Sequence, residues 1–157
     1  MTLRRGITQP IYFGQLSDKK FKALNQKLTQ SGFRPLQTNA LYLHPSVVDK
    51  LIQKRIIQDG MTPDQVSDVA FSAIHNSKSK VFSTKAPHVK VLFKPINAKT
   101  ANSAYVGDFG GQGSIKSVYP KELAKIKNES LGGRGTPPSG AKQLNPAVPV
   151  SGIQGSR

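Results

Sequence analysis

The segment KVFSTKAPHVKVLFKPINAKTANSAYVGDFGGQGSIKSVY, residues 80–119, carries the strongest β-sheet signal in the chain. Apolar and polar side chains alternate in four runs of this segment, and a period of two is typical of β-strands. Short turns containing Ala86-Pro87 and Gly110–Gly113 connect the first two runs and the last two. Successive strands joined in this way predict an antiparallel meander. The predicted strands are 80–84, 88–94, 103–109 and 114–119.

Two further strands and a first helix are predicted before the meander. Short apolar runs indicate strands at 11–13 and 41–43. Ser17 is a suitable N-cap for a helix, and Gly32 is a suitable residue for its C-terminal end. Apolar residues at helical spacing form the buried stripe of this helix, namely Phe21, Leu24 and Leu28.

Three more helices complete the predicted secondary structure. Ser46 is expected to cap a second helix that Gly60 ends. Thr62 opens a third helix, and Gln65 three residues later completes the sequence pattern of a capping box. A short final helix is predicted at 121–127.

The predicted fold class is α+β, with N-terminal helices followed by a four-stranded antiparallel meander sheet and a disordered C-terminal tail. Residues 1–40 form an N-terminal extension with one helix, and residues 41–128 form the α+β domain. Residues 129–157 are rich in Gly, Pro and Ser. They contain too few large apolar side chains to offset the entropy of ordering, so they are expected to be disordered.

The charge of the chain limits its partners and cofactors. Its 157 residues include 23 Lys and Arg against 8 Asp and Glu, which gives a net charge of +15. This excess favours a polyanion such as nucleic acid. The few carboxylates and the absence of cysteine argue against a metal site, and no cofactor is expected. No apolar run approaches the roughly 20 residues of a membrane span, so no membrane partner is expected.

The basic excess is concentrated between Val69 and Gly107, where the sequence contains no Asp or Glu. Lysines at alternate positions of a strand would give a sheet face suited to a phosphate backbone. The alternative is a solvated face whose charges only aid solubility. With Lys116 from the last strand, the predicted nucleic-acid contacts are Lys78, Lys80, Lys85, Lys90, Lys94 and Lys116.

Several short sequences match a known family in order and spacing. They are LYLHPS at 41–46 before a helix, GMTPD at 60–64, the His75-Asn76 break before a strand, and the terminal Val-Tyr-Pro at 118–120. With these features, residues 41–125 resemble the phage-associated nuclease domains of the barnase–EndoU–colicin–RelE superfamily. The resemblance implies a small α+β ribonuclease of the kind found in phage polyproteins and bacterial toxin systems.

The resemblance also indicates where catalytic residues would lie. Members often carry a basic pair where the first domain helix ends, and this chain has Lys54 and Arg55 there, without a histidine. They also carry a hydroxylic residue on the last strand, where Ser117 lies. Lys54 and Arg55 would bind the scissile phosphate, and Ser117 would assist together with Tyr119.

Proton transfer is assigned to His75 or His88, the two histidines of the acid-free segment. Simpler alternatives remain for these residues. His75 would also suit the end of its helix, where the dipole favours it. Lys54 and Arg55 would also suit a solvent-facing helix surface, and Tyr119 would suit the core.

The resulting functional prediction is a metal-independent ribonuclease in which the 2′-OH attacks the phosphate to give a cyclic phosphate. It would act on tRNA or mRNA as a toxin or phage-encoded effector, with an acidic immunity or antitoxin protein as a second partner. The expected location is the cytoplasm of a bacterial or phage-infected cell, or a target cell into which it is delivered. The alternative is a non-catalytic nucleic-acid-binding or virion-associated protein.

Overall fold

Four consecutive antiparallel strands form between residues 80 and 122 in the computed structural model, which describes residues 9–132. The meander predicted from the alternating side chains is therefore confirmed. The six strands in this described part of the chain are β1 (Ile11–Gln15), β2 (Ala40–Leu43), β3 (Lys80–Ser83), β4 (Val89–Pro95), β5 (Thr100–Phe109) and β6 (Gln112–Glu122). The helices are α1 (Asp18–Gln30), α2 (Pro45–Leu51), a π-helical segment (Ile52–Gln58), α3 (Pro63–His75) and α4 (Leu123–Gly132).

The prediction of a four-stranded antiparallel sheet after N-terminal helices is wrong in two respects. The sheet has six strands in the order β1-β2-β6-β5-β4-β3, and β2 runs parallel to β6. One of its strands, β1, precedes every described helix. The parallel contact joins Leu41 to Gly113 and Tyr42 to Ser114. Residues so far apart in sequence leave no local signal of their pairing. The predicted meander therefore contained fewer strands than the sheet has.

Gly113 permits the close approach of β2 to β6. A Cβ atom at this position would lie 2.5 Å from Cδ2 of Leu41, which is fully buried. A glycine is therefore required sterically where the two strands meet. This contact also fixes the position of α2, which follows β2 directly.

The two faces of the sheet pack against different helices. On one face, α1, α2 and α3 cover the main core, which includes Leu41, Leu92, Ile115 and Val118. On the other face, α4 places Ile126 in a smaller cluster. The sheet side of that smaller cluster is formed by Val91, Phe93 and Ala101, with Phe82 and Tyr105 at its border. Because β4 is covered on both sides, its central residues are buried whichever way they point.

The helix boundaries agree with the sequence where side-chain caps define them. Ser17 caps α1, and Thr62 and Gln65 form the predicted capping box of α3. The expected cap at Ser46 is wrong, because the N-cap of α2 is His44, two residues earlier, with Pro45 in the first turn. Within residues 9–132, none of the helices combines the length and apolar character needed to cross a bilayer.

Strand β6 continues beyond its predicted end at Tyr119. Pro120 pairs with Asn102 of β5, and the strand extends to Glu122. A proline is tolerated here because the recorded pairing of β6 with β2 reaches only Ser114, so its other side is a strand edge at this point. The final helix then runs to Gly132 rather than Lys127. The remainder of the predicted disordered tail lies outside the described residues.

The expectation that Lys90 lies on an exposed face is corrected. Its side chain is fully buried on the helix-covered face, and its ammonium group donates a hydrogen bond to the Ser31 hydroxyl at 2.6 Å. Burial, followed by the nearby charge of Lys27, lowers the pKa of Lys90 to about 8. The alternation along β4 correctly placed Lys90 and Val91 on opposite faces of the sheet. It did not reveal that α1 covers the face to which Lys90 points.

The buried ammonium of Lys90 makes stability depend on pH in a predictable direction. Its pKa of about 8 in the folded protein lies below the ordinary lysine value of 10.5. The unfolded chain therefore binds more protons between these two values, and stability rises with pH through that window. We expect the free energy of unfolding of wild type relative to Lys90→Met to rise by about 3 kcal/mol between pH 7 and pH 10.5. Urea titrations at each pH measure this difference.

The control is Lys99→Met, which removes an exposed lysine from the β4–β5 connection. Its stability should follow the wild-type pH dependence throughout. Parallel stability curves for wild type and Lys90→Met would contradict the assignment of a costly buried charge to Lys90.

Candidate nucleic-acid interface

On the sheet face that carries α4, the side chains near β1, β2 and the end of the β5–β6 hairpin are partly or largely exposed within residues 9–132. Leu41 and Val118 point into the main core, so their neighbours Tyr42, Ser117 and Tyr119 point to the other side. We call this surface the open face. Its side chains are Tyr12, Tyr42, His44, Phe109, Lys116, Ser117 and Tyr119.

Arg55 lies over this face at the free edge of β6. Its guanidinium carbon is 4.8 Å from the centre of the Tyr119 ring, and its Nη1 pairs with Asp59 at 2.7 Å. The side chain is only 17 % exposed. The π-helical segment carries Arg55, and insertions of this type in helices frequently occur at functional sites. The guanidinium is thus held in place by a ring and a carboxylate before any ligand arrives.

Behind Tyr119 lies a hydrogen-bonded group of four residues, which we call the polar network. The Lys121 ammonium donates to the hydroxyls of Tyr105 and Tyr119 at 2.7 and 2.9 Å and pairs with Glu129 at 2.6 Å. The Tyr105 hydroxyl donates to the other Glu129 oxygen at 2.9 Å. The two tyrosine rings are stacked, with their planes 10° apart. The network therefore fixes the position of the Tyr119 hydroxyl.

Two members of the polar network, Tyr105 and Lys121, have a raised pKa. Burial, the neighbouring Tyr119 and the hydrogen bond to Glu129 raise the pKa of Tyr105. Burial opposes the charged form of Lys121, but its hydrogen bonds to Glu129 and Tyr119 outweigh this effect and raise its pKa. Lys121 is thus a fixed cation next to Tyr119.

The charges of Lys54, Arg55 and Lys116 all act on Lys50, and we call these four residues the cation cluster. Partial burial lowers the pKa of Lys50, and the charges of the other three members lower it further. These interactions show that four positive side chains from α2, the π-helical segment and β6 share one electrostatic environment. Such a concentration of like charge favours an anionic ligand.

Lys116 connects the cation cluster to the aromatic part of the open face. The register shift at Tyr105/Val106 makes it an extra residue of β6, and its Cε would lie 3.0 Å from a Cβ on Gly107. Its ammonium is 5.9 Å from the centre of the Phe109 ring. That ring in turn packs against His44, with their centres 4.0 Å apart. The bulge thus directs a lysine across the hairpin instead of into the core.

Three buried side-chain polar atoms lack a hydrogen-bond partner within residues 9–132, and all three belong to this region. They are Nε2 of His44, Nε of Arg55 and Oγ of Ser114. Unpaired buried polar atoms are costly and uncommon, and a ligand-binding role is one accepted reason for their presence. Their location supports this face as a binding site.

The structure brings together five residues that the sequence predicted for catalysis or binding. Lys54, Arg55 and Lys116 belong to the cation cluster, and Tyr119 lies beneath Arg55. Ser117 points to the same face, two residues before Tyr119. Tyr119 is therefore a half-buried site residue and does not belong to the main core.

The two histidines predicted for proton transfer lie elsewhere. His75, at the end of α3, places its Nε2 3.3 Å from the carbonyl oxygen of Phe13 and packs against Phe71. His88 lies in the turn before β4, with Phe33 as its aromatic neighbour. Neither contacts a member of the cation cluster through a recorded bond or ring contact. His75 lies against Phe13 on the main-core side of the sheet, and His88 lies at the start of β4.

The remaining predicted lysines do not share one surface. Lys78 and Lys85 lie in turns on either side of β3, and Lys80 begins that strand. Strand β3 is three positions from β6 in the sheet, a separation of about 14 Å. Lys94 points to the same side as the buried Lys90, and its ammonium donates to the Pro95 carbonyl at 3.0 Å.

Sequence reasoning missed the residues whose roles depend on tertiary contacts. Tyr105, Lys121 and Glu129 meet only when β6 passes Pro120 and α4 folds back. One usable signal was the alternate spacing of Ser117, Tyr119 and Lys121, which places all three on one side of a continuous strand.

Neither a cluster of metal-ligating side chains nor the apolar cavity provides an alternative anion site within residues 9–132. Residues 9–132 contain no group of three or more His, Asp and Glu side chains that could hold a metal ion. A cavity of about 170 Å³ lies on the helix-covered face, with an almost wholly apolar lining that includes Leu51, Ile56 and Val66. Its surface offers no cation to a phosphate.

The ion pair in the polar network should contribute to stability because it is half-buried. The side chains of Lys121 and Glu129 are 10 % and 23 % exposed. Glu129→Gln leaves the ammonium without its charged partner, so we expect the free energy of unfolding to fall by about 1–3 kcal/mol. Chemical denaturation measures the loss. Glu122→Gln, which removes an exposed pair with Lys125, is the control and should change stability by less than about 0.5 kcal/mol. Equal losses in both variants would contradict a structural role for the network.

Comparisons with known proteins assign no family to this chain. No family model, curated protein or solved structure matches it. The geometry of the open face is therefore the basis on which its function is inferred.

Proposed function

We propose that this protein binds RNA on the open face and cleaves it there without a metal ion. The observation that carries the proposal is the position of Arg55, which is held over Tyr119 with an unpartnered Nε and three neighbouring lysines. A guanidinium presents donors in a planar fork that matches phosphate oxygens. The resemblance of residues 41–125 to phage-associated ribonuclease domains agrees with this chemistry.

The proposed reaction is an internal transesterification. The 2′-OH of a nucleotide loses its proton to a base, and its oxygen forms a bond to the adjacent phosphorus. The bond from phosphorus to the 5′ oxygen breaks, and that oxygen takes a proton from an acid. The products are a 2′,3′-cyclic phosphate and a 5′-hydroxyl, so the step requires no water, metal or redox partner.

Arg55 and its neighbours supply the electrostatic part of catalysis in this proposal. Negative charge increases on the phosphoryl oxygens as the fifth bond forms. Fixed cations aimed at this charge are worth more than mobile ones because they need no reorganisation. The ring of Tyr119 and the carboxylate of Asp59 already fix the Arg55 guanidinium.

Tyr119 is suited to act as the acid. Its hydroxyl accepts a hydrogen bond from Lys121, which leaves its own proton available for the departing 5′ oxygen. A cation next to a phenol favours the transient phenolate. Lys121 is a positioning residue because the three hydrogen bonds recorded for its ammonium are all made within the network.

Lys50 replaces the predicted histidines as the proton acceptor in the proposal. Partial burial and the charges of Lys54, Lys116 and Arg55 lower its pKa. A lower pKa favours the neutral amine, which is the form that can accept the 2′-OH proton. His75 and His88 lie away from the cluster and take no part.

The first test measures RNA cleavage in EDTA by wild type and Arg55→Ala. We expect wild type to produce cyclic phosphate ends and the variant to be about 10²- to 10³-fold slower, because one fixed charge-stabilising group is lost. Arg34→Ala, at an exposed loop position, should retain wild-type activity. Denaturation midpoints of both variants separate loss of activity from loss of folding.

A complete absence of cleavage by folded wild type would refute the catalytic part. Salt-sensitive gel shifts by the same preparation would then support the alternative, a non-catalytic nucleic-acid-binding or virion-associated protein that uses the same face. If cleavage occurs, growth arrest on expression would support a toxin, for which an acidic immunity protein is the expected second partner.

The second test isolates the role of Lys50 with Lys50→Arg, which keeps the positive charge but has no accessible neutral form. We expect kcat to fall by about 10²- to 10⁴-fold while RNA affinity remains within about threefold of wild type. The wild-type rate should rise with pH as Lys50 loses its proton, and Lys50→Arg should lose that rise. Lys22→Arg on α1 is the matched control. An unchanged pH–rate profile in Lys50→Arg would exclude Lys50 as the base.

A further inference from the structure

The aromatic side chains of the open face form pairs at a sheet surface. Tyr12 and Tyr42 are cross-strand partners on β1 and β2, with ring centres 5.8 Å apart. His44 follows two residues after Tyr42 and packs on Phe109. Tyr12 and Phe109 are 54 % and 55 % exposed, so each keeps ring surface open to solvent beside its aromatic neighbour. The main core on the opposite face does not require these rings.

We propose that these four side chains form a base-stacking platform that selects single-stranded RNA. The inference rests on the proposed function, since it names the substrate form that the same face accepts. Aromatic rings stack on nucleobases of any sequence, but only where the bases are unpaired and turned outward. A duplex keeps its bases inside and would meet only the lysines.

Charge identifies RNA as the occupant, in preference to an apolar protein surface. Lys116 contacts the Phe109 ring and also belongs to the cation cluster, so the rings and the positive side chains form one continuous surface. A backbone that passes over Lys50, Lys54 and Arg55 would direct its bases toward the rings. Basic grooves beside stacking aromatics are the usual arrangement for binding single strands.

The spacing of the platform fits neighbouring nucleotides. Tyr42 and His44 are two residues apart in an extended stretch, which separates them by about 7 Å. This is about twice the roughly 3.4 Å spacing of stacked bases along one strand. Two consecutive bases that no longer stack on each other can therefore reach the Tyr12–Tyr42 pair and the His44–Phe109 pair.

The experiment measures binding of fluorescein-labelled 2′-O-methyl RNA, which lacks the 2′ proton needed for cleavage, by fluorescence anisotropy. The three probes are a single-stranded 10-mer, the duplex of the same sequence, and an abasic 10-mer with the same number of phosphates. We expect Tyr12→Leu and Phe109→Leu each to weaken single-strand binding by about five- to 100-fold. Their binding to the duplex and to the abasic strand should stay within about twofold of wild type.

Two controls separate stacking from folding and from general exposure of aromatic residues. Tyr12→Phe retains the ring and should restore wild-type affinity for the single strand. Phe33→Leu removes an exposed aromatic residue next to His88, outside the platform, and should bind as wild type does. Wild-type affinity in both leucine variants, or equal losses for the normal and abasic strands, would overturn the platform.

The outcome distinguishes this inference from the proposed function. If Arg55→Ala loses cleavage but Tyr12→Leu and Phe109→Leu cleave with wild-type KM, the platform is refuted and the ribonuclease stands. If the leucine variants lose single-strand binding while wild type cleaves nothing, the platform stands and the catalytic proposal fails. If wild type binds neither strand form, both are refuted.

Discussion

The parallel contact between β2 and β6 is the constraint on which the open face depends. It includes only two recorded residue pairs, and one of them requires a glycine at position 113 because Leu41 fills the space of a side chain. This contact places His44 and the start of α2 beside the middle of β6. The π-helical segment then continues along the free edge of β6 and delivers Arg55 to Tyr119. Without the strand contact, the cation cluster would have no fixed position relative to the sheet.

The sequence predicted those parts of the fold whose signals are local. Thr62 and Gln65 lie three residues apart, and the side chain of each accepts a hydrogen bond from the backbone N–H of the other. The start of α3 was therefore correctly predicted. The alternation in β4 also identified its two sides correctly. The partner of β2 could not be predicted, because the pairing of Tyr42 with Ser114 depends on how the intervening helices pack. The burial of Lys90 was missed for the same reason, since α1 covers it from a distant part of the chain.

The candidate site was predictable to a similar extent. Lys54, Arg55, Ser117 and Tyr119 were assigned from a helix end and a last strand, and the fold places these two elements together. The assignment of His75 and His88 rested on their residue type and on an acid-free segment of sequence. The composition of a segment does not show where its side chains lie in the fold, and these two histidines lie away from the cation cluster. The network of Tyr105, Lys121 and Glu129 requires α4 to return to the sheet, which no local pattern indicates.

The net charge of +15 does not by itself locate a polyanion site, because lysines in different surroundings behave differently. Lys90 is buried beside a hydroxyl and another lysine, and its pKa falls to about 8. Lys121 is also largely buried, but its carboxylate and phenol partners raise its pKa and keep it charged. Lys50 lies at the surface, where partial burial and the charges of Lys54, Lys116 and Arg55 lower its pKa. Buried or paired lysines gain little from an incoming anion, so the proposed interface lies where neighbouring cations are accessible, as Lys54 and Lys116 are.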